Sequence, residues 1–192
     1  MMIMKTKNHF HLFILSLAVM SLACSIFVGG PEYPAQTVPS SPTDAQALRD
    51  MIQQAMLTGA ETGVITLQIS ESQLTGFVAE KLSQQTDPPF TDPQIYLRNG
   101  QMQMYGKITQ GWFSANMLIV MNVAIDPVTG QPTIEIASAD FGPFPAPEGL
   151  KSAISAVIGE TFTGSFGPVA SGFRLEAITI ADGFMTVTGR IK

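Results

Sequence analysis

The stretch Ile95-Tyr-Leu-Arg-Asn-Gly-Gln-Met-Gln-Met-Tyr-Gly-Lys-Ile108 decides the fold, because it comes back near the end of the chain. Its counterpart is Ile178-Thr-Ile-Ala-Asp-Gly-Phe-Met-Thr-Val-Thr-Gly-Arg-Ile191, offset by 83 residues. Asn-Gly and Asp-Gly between alternating apolar runs are strong short-range hairpin signals. Both segments therefore read as strand, two-residue turn, strand. Gly106 and Gly189 fall at the same place in the second strand, where a glycine marks a bulge, a bend or a close approach. Each hairpin follows an amphipathic stretch, so two helix-plus-hairpin units are the expectation. Chance likeness of two common patterns is the alternative.

Outward from the first hairpin, Trp112 to Ile125 alternates over a long strand, with Phe113, Ala115, Met117, Ile119, Met121, Val123 and Ile125 on one face. Asp126-Pro-Val-Thr-Gly130 is a turn, and Thr133 to Ala139 is the next strand. Before the hairpin, Ser70 and Gln73 have capping-box spacing and open a helix with the stripe Leu74, Phe77, Val78, Leu82. Val64 to Ile69 alternates as a strand. Thr43 and Gln46 repeat the capping-box spacing and predict a helix from Asp44, with Leu48, Met51, Ile52, Ala55 and Met56 as its stripe and Gly59 and Gly63 closing it. A further helix is expected from Glu148, carrying Leu150, Ile154, Val157, Ile158 and Phe162. The fold class is α+β: a curved, mostly antiparallel sheet of six or seven strands with two or three helices on one side.

The N-terminal region reads differently. Lys5 and Lys7 precede the apolar run Leu12 to Ala23, and no acid lies before Cys24. A charged start and a short apolar run make a secretory signal, since a spanning helix needs about 20 apolar residues. The run ends Ser21-Leu-Ala-Cys-Ser25, which resembles the lipobox of bacterial lipoproteins. The resemblance implies cleavage before Cys24 and diacylglycerol on its sulfur. Ala23 and Cys24 fit that motif, whereas Ser21 and Leu22 depart from it. An uncleaved helix running on to Val28 is the alternative. The resulting division is a signal peptide over 1–23, the lipidated cysteine with a flexible Pro/Gly/Ser tether over 24–42, and one domain over 43–192. The protein would then sit at an extracytoplasmic membrane face.

Composition narrows the chemistry. Charged residues are 13% of the chain and hydrophobic residues 45%. Two of the 10 basic residues precede Cys24, so the rest of the chain has 8 basic and 15 acidic residues, a net −7. An acidic surface argues against nucleic acid and against capture by anionic headgroups. Cys24 is the only cysteine, and the two histidines, His9 and His11, lie in the leader. The exported part thus lacks the side chain that most often serves as general base or metal ligand. Its acids, Glu71, Glu80, Asp87, Asp92, Asp126, Glu135, Asp140, Glu148 and Glu176, are scattered over loop tips and helix starts. Neither a catalytic pair nor a metal site is expected, and no cofactor.

The lipobox-like end, the helix opening Ser70-Glu-Ser-Gln-Leu74, the strand Tyr96-Leu-Arg-Asn-Gly100 and the long strand after it together resemble lipoproteins of the tubular lipid-binding (TULIP-like) superfamily. They are also similar to secreted phospholipid-binding proteins of the LmeA type. The resemblance covers about residues 62–192 and implies a bent sheet around a helix with an apolar groove for acyl chains. Methionine suits such a lining, being unbranched and polarizable. The candidates are Phe77, Met102, Met104, Phe113, Met117, Met121, Ile154 and Met185. Ordinary core packing is the alternative for each. Trp112 is read as a partly buried packing residue, or else as a residue at a lipid interface or groove mouth. The function expected is non-catalytic binding of a lipid or other hydrophobic ligand, with an envelope scaffold or interaction module of closed core as the alternative.

Overall fold

Asn99 and Gly100 reverse the chain in two residues, Arg98 pairing with Gln101. Their φ angles are 54° and 74°. Positive φ at both central positions is the mark of a type I′ turn, whose twist matches that of the strands it joins. In the second hairpin Ala181 pairs with Phe184. There Gly183, at φ 89°, takes the left-handed conformation.

The computed structural model describes residues 26–130, 132–144 and 173–191. In chain order these hold β1 (Ile26–Phe27), α1 (Pro42–Thr62), β2 (Val64–Ser70), α2 (Glu71–Ser83), β3 (Thr91–Arg98), β4 (Gln101–Gln110), β5 (Phe113–Ile125), β6 (Pro132–Asp140), β7 (Phe173–Ala181) and β8 (Phe184–Ile191). Residues 1–25, and with them the leader and Cys24, lie outside the described residues. So does the helix expected from Glu148.

The strands form a curled array in two hydrogen-bonded sets. The larger runs β5-β4-β3, with β6 and β1 sharing the free edge of β5. The smaller runs β2-β8-β7. All pairings are antiparallel except that of β1, which lies parallel to the start of β5. β7 reaches across one end of the larger sheet. At its start Arg174 Nη2 donates to Pro127 O in the β5–β6 turn (2.9 Å). At its far end Gly183 N–H donates to Leu97 O (3.0 Å).

The hairpins share more than their turns. The β3–β4 register slips between Thr91 and Gln94, facing Gly106. The β7–β8 register slips between Leu175 and Ala177, beside Gly189. A Cβ on Gly106 would come within 2.7 Å of the Phe90 ring and 2.9 Å of Met117 Cε. One on Gly189 would lie 2.8 Å from Arg174 O. Each glycine therefore admits a bulge in the strand opposite.

α1 starts two residues earlier than Thr43 and Gln46 suggest. Pro42 occupies its first turn, where a fixed φ is an advantage and the missing N–H costs nothing. Ser41 is the N-cap, and the Asp44 carboxylate accepts from Ser41 N–H (2.7 Å) and Oγ (2.6 Å). Gly63 ends the helix at φ 78°, its N–H donating to Gly59 O. α2 opens on Ser70 with Gln73 reaching back, as its spacing requires. One apolar core joins α1 (Ala45, Leu48, Ile52), α2 (Leu74, Phe77, Val78, Leu82) and the inner faces of both sheets.

Residues 26–41, expected as a free spacer, are extended but docked. Ile26 and Phe27 pair with Phe113 and Ser114. Val28 N–H donates to Ser114 O (2.8 Å), and Asn116 N–H donates to Gly29 O (2.9 Å). The segment then crosses the outer face of β3 and β4 as a strap and enters α1. Its prolines and glycines remove helical options, but they leave carbonyls free to accept from the sheet.

Candidate functional site

Six of the eight groove candidates come together. Phe77, Met102, Met104, Met117, Met121 and Met185 are all nearly inaccessible and belong to the one core. Phe113 shares their face by alternation but lies at the end of β5 beyond the core, and is 45% exposed. Ile154 falls outside the described residues. Three clefts open on the described surface: about 610 Å³ between α1 and β2, about 480 Å³ between the end of α2 and the start of β3, and about 310 Å³ where the strap enters α1. None of the described candidates lines these three.

What continues the core outward is a different set. Val123 and Ile125 follow Met121 on the inner face of β5. Ile134 and Ile136 stand opposite Val123 and Met121 on β6. Ile178 and Ile180 lie on β7. All six are half-buried and packed against the core. Val123, Ile125, Ile134 and Ile136 lie on strands away from β2, β3 and β8, on which α1 and α2 mainly pack, whereas Ile178 and Ile180 stand beside Val187 and Met185 of β8. Alternation in β5 to β7 carries this signal, whereas the methionines occupy the deeper positions.

The acids take structural roles. Glu71 and Thr75 sit one turn apart on α2. Thr75 Oγ1 accepts from Ile95 N–H (3.0 Å), and Glu71 Oε1 accepts from Leu97 N–H (2.6 Å). Four helical residues rise about 6 Å and two strand residues about 6.6 Å, so the two spacings match. α2 thereby receives the outward N–H groups of β3 in place of a neighbouring strand. Glu71 also pairs with Arg98. Arg49 hydrogen-bonds Glu80 and holds its carboxyl below the usual range. Backbone N–H groups of Thr129 and Val128 do the same for Asp126 in its turn. Lys107 pairs with Asp92 (2.9 Å) and Arg190 with Glu176 (3.2 Å). Among the described residues no group of three His, Cys, Asp or Glu could hold a metal ion.

The strap brings all three tyrosines of the chain together, which no local pattern announced. Tyr105 packs against Tyr33 with the rings tilted by 44° and meets Tyr96 edge-on, each at 5.5 Å between centroids. Tyr96 Oη donates to Gln36 O (2.8 Å), and Val38 N–H donates to Gln94 Oε1 (2.7 Å). Burial pushes the Tyr33 hydroxyl far above the ordinary tyrosine value, with the Asp92 carboxylate adding to it. Burial raises Tyr96 too, helped by Glu71.

At the opposite end of β5 from the β5–β6 turn, apolar groups face outward. Trp112 is 54% exposed, so it is not the packing residue first expected. Ile26 and Phe27, both 57% exposed, flank it.

No known protein-family model matches this chain, and no curated protein matches it significantly.

Proposed function

We propose that this is an envelope protein, held at the extracytoplasmic face of a membrane through Cys24, whose domain binds a lipid or other hydrophobic molecule without catalysis. The observation that carries the reading is the half-buried aliphatic strip of Val123, Ile125, Ile134, Ile136, Ile178 and Ile180. An acyl chain laid along it gains about 0.8 kcal/mol per buried CH₂. The net −7 of the chain from Cys24 on supports an apolar mode of capture over a headgroup-driven one. The lack of histidine after His11, and the engagement of the acids in caps, turns and ion pairs, support a binding protein over an enzyme. The likeness to tubular lipid-binding lipoproteins agrees with this. In the same proposal the domain derives from two helix-plus-hairpin units, supported by the turn, bulge and glycine that recur at an offset of 83 residues.

A second reading is an envelope scaffold with a closed core. The complete burial of Phe77, Met104, Met117, Met121 and Met185 favours it.

Native mass spectrometry of a protein spanning residues 26–192, with fluorescent fatty-acid uptake beside it, separates the two. Near-stoichiometric lipid is the expected result, with loss of uptake in an Ile136→Asp, Ile178→Asp variant. A dry protein that takes up no fatty acid sinks the binding reading. Cys24→Ser tests the anchor, and is expected to change electrophoretic mobility and release the protein from membranes.

A further inference from the structure

The strap changes what an anchor at Cys24 would do. Main-chain pairing with β5 begins at Ile26, whose N–H donates to Trp112 O (2.6 Å). Only Ser25 separates that residue from Cys24. Two residues span at most about 7 Å. The spacer that would lift a domain off the bilayer is instead laid against the sheet.

The direction of the chain at this point is fixed by register. β1 is parallel to β5 and pairs with its first two residues. The chain before Ile26 therefore leaves from the same end of the larger sheet as the β4–β5 turn, Gly111-Trp112. Exposed large apolar side chains cluster at that end: Ile26, Phe27, Val28, Trp112 and Phe113. No charged residue occurs in 26–31 or in 108–116. Scattered exposed apolar residues need no explanation, but a contiguous uncharged patch does. Tryptophan is favoured where one side of a residue is apolar and the other wet.

We propose that this end of the sheet is a membrane-contacting surface, in which Ile26, Phe27, Val28, Trp112 and Phe113 enter the interfacial layer of the bilayer that holds residue 24. The proposal rests on the anchor reading above, with Ile26 to Val28 paired to β5 and so not part of a helix that runs on to Val28. It commits to lipid over a second copy of the chain because the attachment point lies within two residues of the patch. Contact there stands the sheet on its end. The Asn99-Gly100, Asp126–Gly130 and Asp182-Gly183 turns then point away from the membrane, up to about 40 Å along β5 at 3.3 Å per residue. The surface adds a second, weak attachment to the covalent one, which is the combination that makes anchoring stable.

Trp112 is the only tryptophan, so its fluorescence reports on this patch alone. The full chain is reconstituted into phosphatidylcholine vesicles and floated on a gradient. Iodide and phosphatidylcholine brominated on its upper acyl carbons then serve as quenchers. The expected result is flotation, strong quenching by brominated lipid, and iodide quenching reduced several-fold relative to the protein in solution. Ile26→Asp with Phe27→Asp should float as before and return Trp112 to iodide. Val128→Asp, at an exposed apolar site in the β5–β6 turn, should change nothing. A protein that floats while Trp112 stays open to iodide and untouched by brominated lipid overturns the proposal and leaves the anchor standing. A protein that does not float overturns both. An equal response to Val128→Asp overturns it too.

Discussion

Thr75 is the fully buried polar residue among the described residues, and its hydroxyl accepts from Ile95 N–H. Valine has nearly the same shape and no acceptor. Thr75→Val should leave the Ile95 N–H dry and unpaired, costing about 1–3 kcal/mol. Chemical denaturation of the variant measures it, and an unchanged midpoint would show that α2 does not close the β3 edge. Gly106→Ala makes the complementary test. Its methyl would press on Phe90 and Met117 at under 3 Å, so a loss of about 1–3 kcal/mol is expected from overpacking. At this scale the sequence disclosed what is local. The Ser70–Gln73 cap and the Asn99-Gly100 turn depend on neighbours in the chain and were legible. The acceptor roles of Glu71 and Thr75 depend on which strand edge lies opposite α2, and no spacing within the helix encodes that.

Strands were legible for the same reason that their depth was not. Alternation along β5 names a face, but every residue of that face looks alike until the helices are placed. Met117 and Met121 lie within the core, Val123 and Ile125 at its margin, and Phe113 past its end. The strap was illegible because it has no periodicity at all. It is held by main-chain hydrogen bonds and by three tyrosines more than 60 residues apart in two groups, 33 against 96 and 105. Those tyrosines make it testable by pH. Tyr33 and Tyr96 are raised in the folded state, so folding favours their protonated forms. Their contribution is complete below the unfolded value of about 10 and is lost as pH rises through the higher folded values. Alkaline titration should therefore release the strap above about pH 10, seen as delayed tyrosinate absorbance followed by a steep rise. Tyr33→Phe should keep the ring contact and weaken that step. A smooth titration at the ordinary tyrosine value would mean that the strap is not docked.

At the scale of the molecule, two apolar surfaces among the described residues lie outside the core, and they make opposite demands. The patch at Ile26, Phe27 and Trp112 is exposed and lies within three residues of Cys24 at its N-terminal end, which suits a bilayer. The strip from Val123 to Ile180 is half-buried on the inner face, which suits a molecule that leaves the bilayer. Mass action distinguishes them without a membrane. A ligand that binds only the folded state at about 100 times its Kd adds about 2.7 kcal/mol. For a domain of this length each kcal/mol moves Tm by roughly 2–4 °C. A soluble fatty acid should therefore raise the Tm of residues 26–192 by roughly 5–10 °C. Ile136→Asp with Ile178→Asp should abolish the shift, and Phe27→Asp should leave it whole. If Phe27→Asp abolishes it instead, the fatty acid is only coating the patch. The strip then belongs to a closed core, and the domain is a scaffold standing on the membrane.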